Sequence, residues 1–168
     1  MNKKILMIGV ALLAICISVG AVSAWEWNFS SSSSSSSDGG DISFENGVLK
    51  LQGVEFKIPE GYKQNESGQK LAEDAPNIQG AKASLTEFVK DGKSIITKVF
   101  FFPDNSGKIT NLTTSEPGYE NKTIGGIDGI FNPNAYGDNT PTFRYITDGK
   151  LVEINAPDEA TIESVLKK

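Results

Sequence analysis

The amino-acid sequence predicts an α+β fold: an antiparallel sheet of hairpins with a C-terminal helix packed on one face, preceded by an apolar N-terminal helix. Three observations carry that expectation. The pairs Asn46-Gly47, Asp91-Gly92 and Asp148-Gly149 each divide two stretches in which apolar and polar residues alternate, the pattern of strands joined by a two-residue turn. The last of these hairpins runs into a segment with Ile162, Val165 and Leu166 at helical spacing. At the other end, residues 5–22 form an uncharged, largely apolar run behind Lys3 and Lys4.

Residues 142–168 are the most sharply specified. Pairing outward from Asp148-Gly149 sets Ile146 opposite Leu151, Tyr145 opposite Val152, Arg144 opposite Glu153 and Phe143 opposite Ile154. One face then carries Phe143, Tyr145, Val152 and Ile154, and the other an Arg144–Glu153 cross-strand pair of about 0.2–1 kcal/mol. A slip of one residue would expose the aromatic set and bury the charges, so the register is fixed. Ala156, Pro157, Asp158 and Glu159 supply an N-cap, a proline near the first turn and acids suited to the positive end of the helix dipole. Lys167 and Lys168 suit its negative end. The expected use of this unit is as scaffold, with the lone arginine explained by Glu153 and no site at that place.

Taken in order, the chain divides into residues 1–24, 25–41 and 42–168. Two readings of the first part compete. A cleaved secretory signal peptide fits the basic start and the small residues Val22-Ser23-Ala24 before Trp25. An uncleaved signal anchor, a transmembrane helix, fits the length of the run and the aromatic Trp25, Trp27 and Phe29 at the interface. The anchored form is preferred, with secretion after cleavage near Ala24 as the alternative. Both place the remainder outside the cytoplasm. Residues 30–37 are all serine and end in Asp38-Gly39-Gly40-Asp41, a flexible spacer that builds no core.

In residues 42–168, Asn46-Gly47 sets Phe44 opposite Leu49 and Ile42 opposite Leu51, and Val54, Phe56 and Ile58 alternate with polar residues. Gln52-Gly53 reads equally as a second turn or as a glycine bulge. Residues 65–80 read as a polar loop holding a helical turn at 69–74, and residues 108–114 as a short helix or loop. Residues 82–89 and 94–102 flank Asp91-Gly92. Val99 with Phe100, Phe101 and Phe102 reads as the end of a central strand covered on both faces, not as a ligand cradle. TIGGIDGIF (residues 123–131) reads as a strand whose glycines mark a bulge or a close backbone approach.

Composition closes several chemistries. The chain has 168 residues, no histidine and a formal charge of −5; without Lys3 and Lys4 it carries 14 basic against 21 acidic side chains, or −7. An acidic chain with one arginine predicts no nucleic-acid partner. The lack of histidine excludes Ser-His-Asp and Cys-His catalysis and histidine metal sites. Cys16, the single cysteine, sits in the apolar run, which leaves no intrachain disulfide and no zinc cluster. Asp104-Asn105-Ser106-Gly107 fails the EF-hand pattern, with glycine at the fourth position and Ser115 where a bidentate glutamate belongs. Gly125-Gly126-Ile127-Asp128-Gly129 is neither a dinucleotide nor a phosphate-loop signature. No catalytic, cofactor-binding or metal-ligating residue is therefore expected, and no cofactor.

TIGGIDGIF, a polar loop, TFRYITDGKLVEINAP and a closing helix (residues 123–168), and more loosely VEFKIPEGYK (residues 54–63), resemble an uncharacterised small α+β domain of secreted or membrane-anchored archaeal surface proteins. More remotely they resemble the PsbP/Mog1-like sheet-and-helix domains. The resemblance implies a fold and a location, and it transfers no activity and no site residue.

The function expected is that of a non-enzymatic extracytoplasmic envelope or surface protein, tethered to the membrane through its N-terminal helix if uncleaved, that binds an unknown protein or glycan of the envelope. The alternatives are a structural surface component without a specific ligand and, third, a carboxylate-dependent hydrolase. Asn65, Asn111 and Asn121 open N-x-Ser/Thr sequons on the exported part, and Asn28 opens another close to the apolar run. An interaction surface is expected on the glycine-rich strand and the loop after it, at Asn134, Tyr136 and Asp138.

Overall fold

A computed structural model describes residues 41–75, 77–112, 116–137 and 139–166. They form eleven strands, one α-helix and two single 3-10 turns. The expected α+β single sheet gives way to a mostly β architecture of two antiparallel sheets with one helix of eight residues. The apolar N-terminal helix has no support: residues 1–24 lie outside the described residues, and among these no helix is long and apolar enough to cross a membrane. The serine-rich spacer lies outside them as well, apart from Asp41.

Three short strands, β1 (Ile42–Glu45), β2 (Val48–Leu51) and β3 (Val54–Lys57), make a meander in that order. The first hairpin has the predicted register, Phe44 opposite Leu49 and Ile42 opposite Leu51. The open choice at Gln52-Gly53 resolves as a turn. Both residues have positive φ, 52° and 75°, and Leu51 pairs directly with Val54. That geometry matches the right-handed strand twist, which is why such turns dominate two-residue hairpins.

The main sheet runs β4 (Lys63–Gln64), β6 (Lys82–Lys90), β7 (Lys93–Phe101), β11 (Lys150–Asn155), β10 (Thr142–Thr147), β9 (Ile127–Asn132), β8 (Glu120–Ile124), with β5 (Lys70–Asp74) also paired to β6. Two local expectations fail here. Residues 69–74 are not a helical turn: Lys70–Asp74 pairs with β6. A bulge at Leu71 and Ala72 lets the Ala72 amide donate to Ser84 Oγ at 2.9 Å. Residues 123–131 are not one strand either. Gly125-Gly126, with φ of 60° and 79°, turns the chain so that Ile124 pairs with Ile127. Gly-Gly between alternating residues is itself a hairpin signal, and the strand reading passed over it. The close-approach reading does hold at Gly129, where a Cβ would stand 2.3 Å from the Arg144 carbonyl oxygen and 2.7 Å from the Phe143 ring.

The C-terminal hairpin has every pair the sequence predicts. Phe143, Val152 and Ile154 are fully buried and Tyr145 nearly so. The helix α1 (Glu159–Leu166) starts at Asp158, whose Oδ1 accepts from the Thr161 amide at 2.8 Å and from Thr161 Oγ1 at 2.6 Å. This is an N-cap in the usual sense. Ile162, Val165 and Leu166 are buried.

The core lies between one face of the main sheet and a cover made of the meander and α1. Leu49, Leu51, Val54 and Phe56 from the meander and Ile162, Val165 and Leu166 from α1 join Phe88, Ile95, Val99, Phe143, Tyr145, Val152 and Ile154 in one cluster. Two hydroxyls in this layer, Thr86 and Thr97, face each other across β6 and β7 and bond at 2.7 Å, so neither is left unpaired.

Candidate functional site: the open face of the main sheet

Residues alternate between the two faces of a strand. In β6 and β7 that period appears as strict alternation of buried and half-buried positions. Phe88, Ile95 and Val99 point into the core, while Leu85, Ile96 and Phe100 point away from it and stay half-buried. The expectation that Val99 to Phe102 belong to a strand covered on both faces is therefore corrected. β7 is central within its sheet, but only one face is sealed. Its other face forms the floor of two depressions of about 690 and 1410 Å³, which share Leu85, Lys98 and Tyr136.

The pairing of three neighbouring strands sets Lys98, Glu153 and Arg144 in one row across that floor. Glu153 is only 2% exposed. Its Oε1 accepts from Lys98 Nζ at 2.8 Å and from the Tyr136 hydroxyl at 3.1 Å, and its Oε2 accepts from Arg144 Nε at 2.6 Å. Burial is the largest single influence on Glu153 and pushes its pKa up. The charges and hydrogen bonds of Lys98 and Arg144 together outweigh it and hold the carboxyl below its ordinary value. Burial likewise disfavours the Arg144 cation most strongly, and Glu153 reverses it, so that pKa lies above the ordinary one. The predicted Arg144–Glu153 pair is present, but in a half-closed site with a third member, not on an exposed face.

Around the row, Arg144 Nη1 reaches Glu116 Oε2 at 3.1 Å, and the guanidinium lies 4.6 Å from the Tyr119 ring centre. Burial of Tyr119 raises its pKa, and its hydroxyl has no hydrogen-bond partner among the described residues. The larger depression is lined by Lys70, Lys98, Lys108 and Arg144 and by Glu73, Asp74, Glu116 and Glu153, so its charges balance. Such a surface sets up no field that would gather polyanions. Among the described residues no group of three or more acidic, cysteine or histidine side chains could hold a metal ion.

The predicted interaction residues fall partly here. Tyr136 is 57% exposed, and it crosses from the loop after β9 to the sheet floor through its bond to Glu153. Asn134 is exposed but shapes that loop from inside: its Oδ1 accepts from the Asn139 amide at 2.8 Å. Asp138 lies outside the described residues. Of the sequons, Asn65 is half-buried with its amide nitrogen 2.6 Å from Glu87 Oε2, whereas Asn111 and Asn121 are exposed.

Sequence reasoning missed Lys98, Leu85, Ile96 and Phe100 as lining residues. A usable signal stood in β7: a lysine flanked by Thr97 and Val99 is out of place in a strand sealed on both faces. No protein-family model, curated protein or solved structure matches this chain. Fold and site together define a class, an antiparallel two-sheet β domain with one face of its main sheet sealed and the other open.

Proposed function

We propose that the chain is a non-enzymatic extracytoplasmic envelope protein, membrane-anchored through its apolar N-terminal segment, whose tethered domain binds a protein or glycan partner on the open face of the main sheet. The observation that carries this reading is the pair of adjoining depressions floored by half-buried Leu85, Ile96 and Phe100 beside the Lys98–Glu153–Arg144 row. Binding sites are usually concave and largely pre-formed, and here the central polar groups hold one another in place, although the larger depression is more charged than most small-molecule pockets. A structural surface component without a ligand needs no such concavity. The resemblance of residues 123–168 to archaeal surface domains supports the location.

A carboxylate hydrolase is the least supported reading. It needs a proton donor with raised pKa. Glu153, the most buried acid on this face, is held ionised between two cations. The test uses a photo-cross-linking residue placed in the full chain at Leu85 or Phe100, with Lys50 on the meander as the control, on intact cells. A defined envelope component captured at the first two positions and not at the third supports the proposal, and no capture above the control at either would end it. Protease shaving of the same cells and N-terminal sequencing report the location. A chain beginning at Trp25 would replace the anchor by cleavage.

A further inference from the structure

We infer that Asn121 carries an N-linked sugar in the exported protein and that Asn65 does not, although both open complete sequons. Attachment at an asparagine joins the side-chain nitrogen Nδ2 to the anomeric carbon of a saccharide delivered as a lipid-linked diphosphate. The bond from that carbon to the diphosphate oxygen breaks, Nδ2 gives up one proton, and the diphosphate leaves with the bonding pair. No oxidation or reduction occurs. Whether the sugar arrives before or after folding, the native domain must hold it, and the three described residues of each sequon determine whether it can.

Asn121 lies on β8, the terminal strand of the main sheet, with Lys122 and Thr123 following. Its inner neighbour is β9, where it stands opposite Ile130, and along the other edge no strand is paired to it among the described residues. Asn121 and Thr123 are exposed. They share one face of the strand by the period of two, and the intervening Lys122 turns the other way to Glu159 of α1, Nζ to Oε2 at 2.7 Å. A sugar on Asn121 therefore displaces no packed side chain. Asn121 lies on the open face of the sheet, at the edge end of the row Lys98–Glu153–Arg144–Ile130, but lines neither depression, so a sugar there flanks the binding surface without filling it.

Asn65 is the reverse case. It is half-buried beside the 3-10 turn Glu66–Gly68, and its Nδ2 donates to Glu87 Oε2 at 2.6 Å. Its Oδ1 accepts from Ser67 Oγ at 2.7 Å, and its backbone amide donates to the Glu87 carbonyl at 2.8 Å. The nitrogen that would take the sugar is already directed onto β6. The sequon hydroxyls do not separate the two sites, since Thr123 Oγ1 also donates, to Asp128 Oδ1 at 2.6 Å; it is the held, half-buried asparagine that does.

This inference rests on the extracytoplasmic reading above, since the lipid-linked donor is used on the outer side of the membrane. The experiment is peptide mapping by mass spectrometry of the full chain recovered from the native cell envelope, with Asn121→Gln, Thr123→Ser and Asn65→Gln compared. The expected result is a saccharide mass on the Asn121 peptide that is lost entirely in Asn121→Gln, kept in Thr123→Ser and unchanged in Asn65→Gln. An envelope-located chain with a bare Asn121 peptide, or with sugar on Asn65, overturns the inference and leaves the location standing. A chain recovered only from the cytoplasm overturns both. Circular dichroism of Asn121→Gln establishes that the lost mass reflects the missing acceptor and not a misfolded chain.

Discussion

Adjacent residues of the same strands live in two different environments in this domain. Ile95, Thr97 and Val99 face a layer closed by the meander and α1, while Ile96, Lys98 and Phe100 floor an open concavity. The covered face is apolar and its polar members are paired, as Thr86 and Thr97 are. On the open face a carboxylate is almost wholly buried, yet it is stabilised by charge instead of by apolar contact. The comparison teaches that a residue's depth and its role separate here. Glu153 is as deep as the core and belongs to the other face.

Substitutions on the two faces put that difference in numbers. The largest loss is expected on the covered face: Phe143→Ala removes a fully buried ring and should lower unfolding free energy by about 4 kcal/mol in a denaturant titration. Next comes Glu153→Gln, which leaves half-buried Lys98 without its counter-charge and Arg144 with Glu116 alone, and should lower it by about 3 kcal/mol. If Glu153→Gln proved harmless while Phe143→Ala did not, the row would be a surface feature and the comparison would fail.

The same carboxylate sets an acid limb. Its folded pKa lies below the ordinary carboxylate value, so its stabilisation is complete above the unfolded pKa and is lost as pH falls through the folded one. Thermal unfolding followed from pH 6 down to pH 2 should show a slope that Glu153→Gln flattens. Asp158→Ala, which removes the helix cap beneath the cover, should lower stability by about 1 kcal/mol. The smallest effect belongs to Tyr136→Phe, within about 0.5–1.5 kcal/mol for one hydrogen bond, with binding at the open face reduced out of proportion to it. Equal losses of binding and stability in that variant would remove Tyr136 from the site.

Much of the covered face was legible in the sequence because it is set by local rules. Turn dipeptides and a period of two fixed the hairpins at Asn46-Gly47, Asp91-Gly92 and Asp148-Gly149, and the spacing of Ile162, Val165 and Leu166 fixed the buried stripe of α1. What failed was of two kinds. Gly125-Gly126 carried a turn signal that was read as strand weakness. Gln69 and the residues after it carried no local signal against helix, because β5 exists only by pairing with β6, a tertiary fact. The open face was the least legible. Lys98, Arg144 and Glu153 come from three strands, and only the order β7-β11-β10 brings them into one row. The separation of the meander into its own sheet was hidden for the same reason, since alternation says which residues face inward and not which sheet they face.

The attachment of β1 has a mechanical consequence. Chain enters the domain at Asp41, whose carbonyl takes the Gln52 amide at 2.8 Å, and continues into an outer strand of four residues. Beyond it, the Gln52 carbonyl is gripped by Lys150 Nζ at 2.6 Å and the Gln52 side chain by Ser84 at 2.9 Å, both on the main sheet. A pull transmitted through Asp41 therefore loads the rungs of β1 one after another, as in a zipper, and is then taken up by β2. That strand is held by the Ile58 amide on the Gly47 carbonyl at 2.8 Å and by its pairing to β3, ahead of the clamp at the Gln52-Gly53 corner. Of the β1 side chains, Ile42 packs against the core cluster and the half-exposed Phe44 ring stands 4.8 Å from that of Phe88, while Leu49, Leu51 and Phe56 belong to β2 and β3 and stay seated when β1 peels. The domain thus has a short sacrificial strand that lengthens by about 14 Å at about 3.4 Å per residue before any load reaches the sheet that carries the open face.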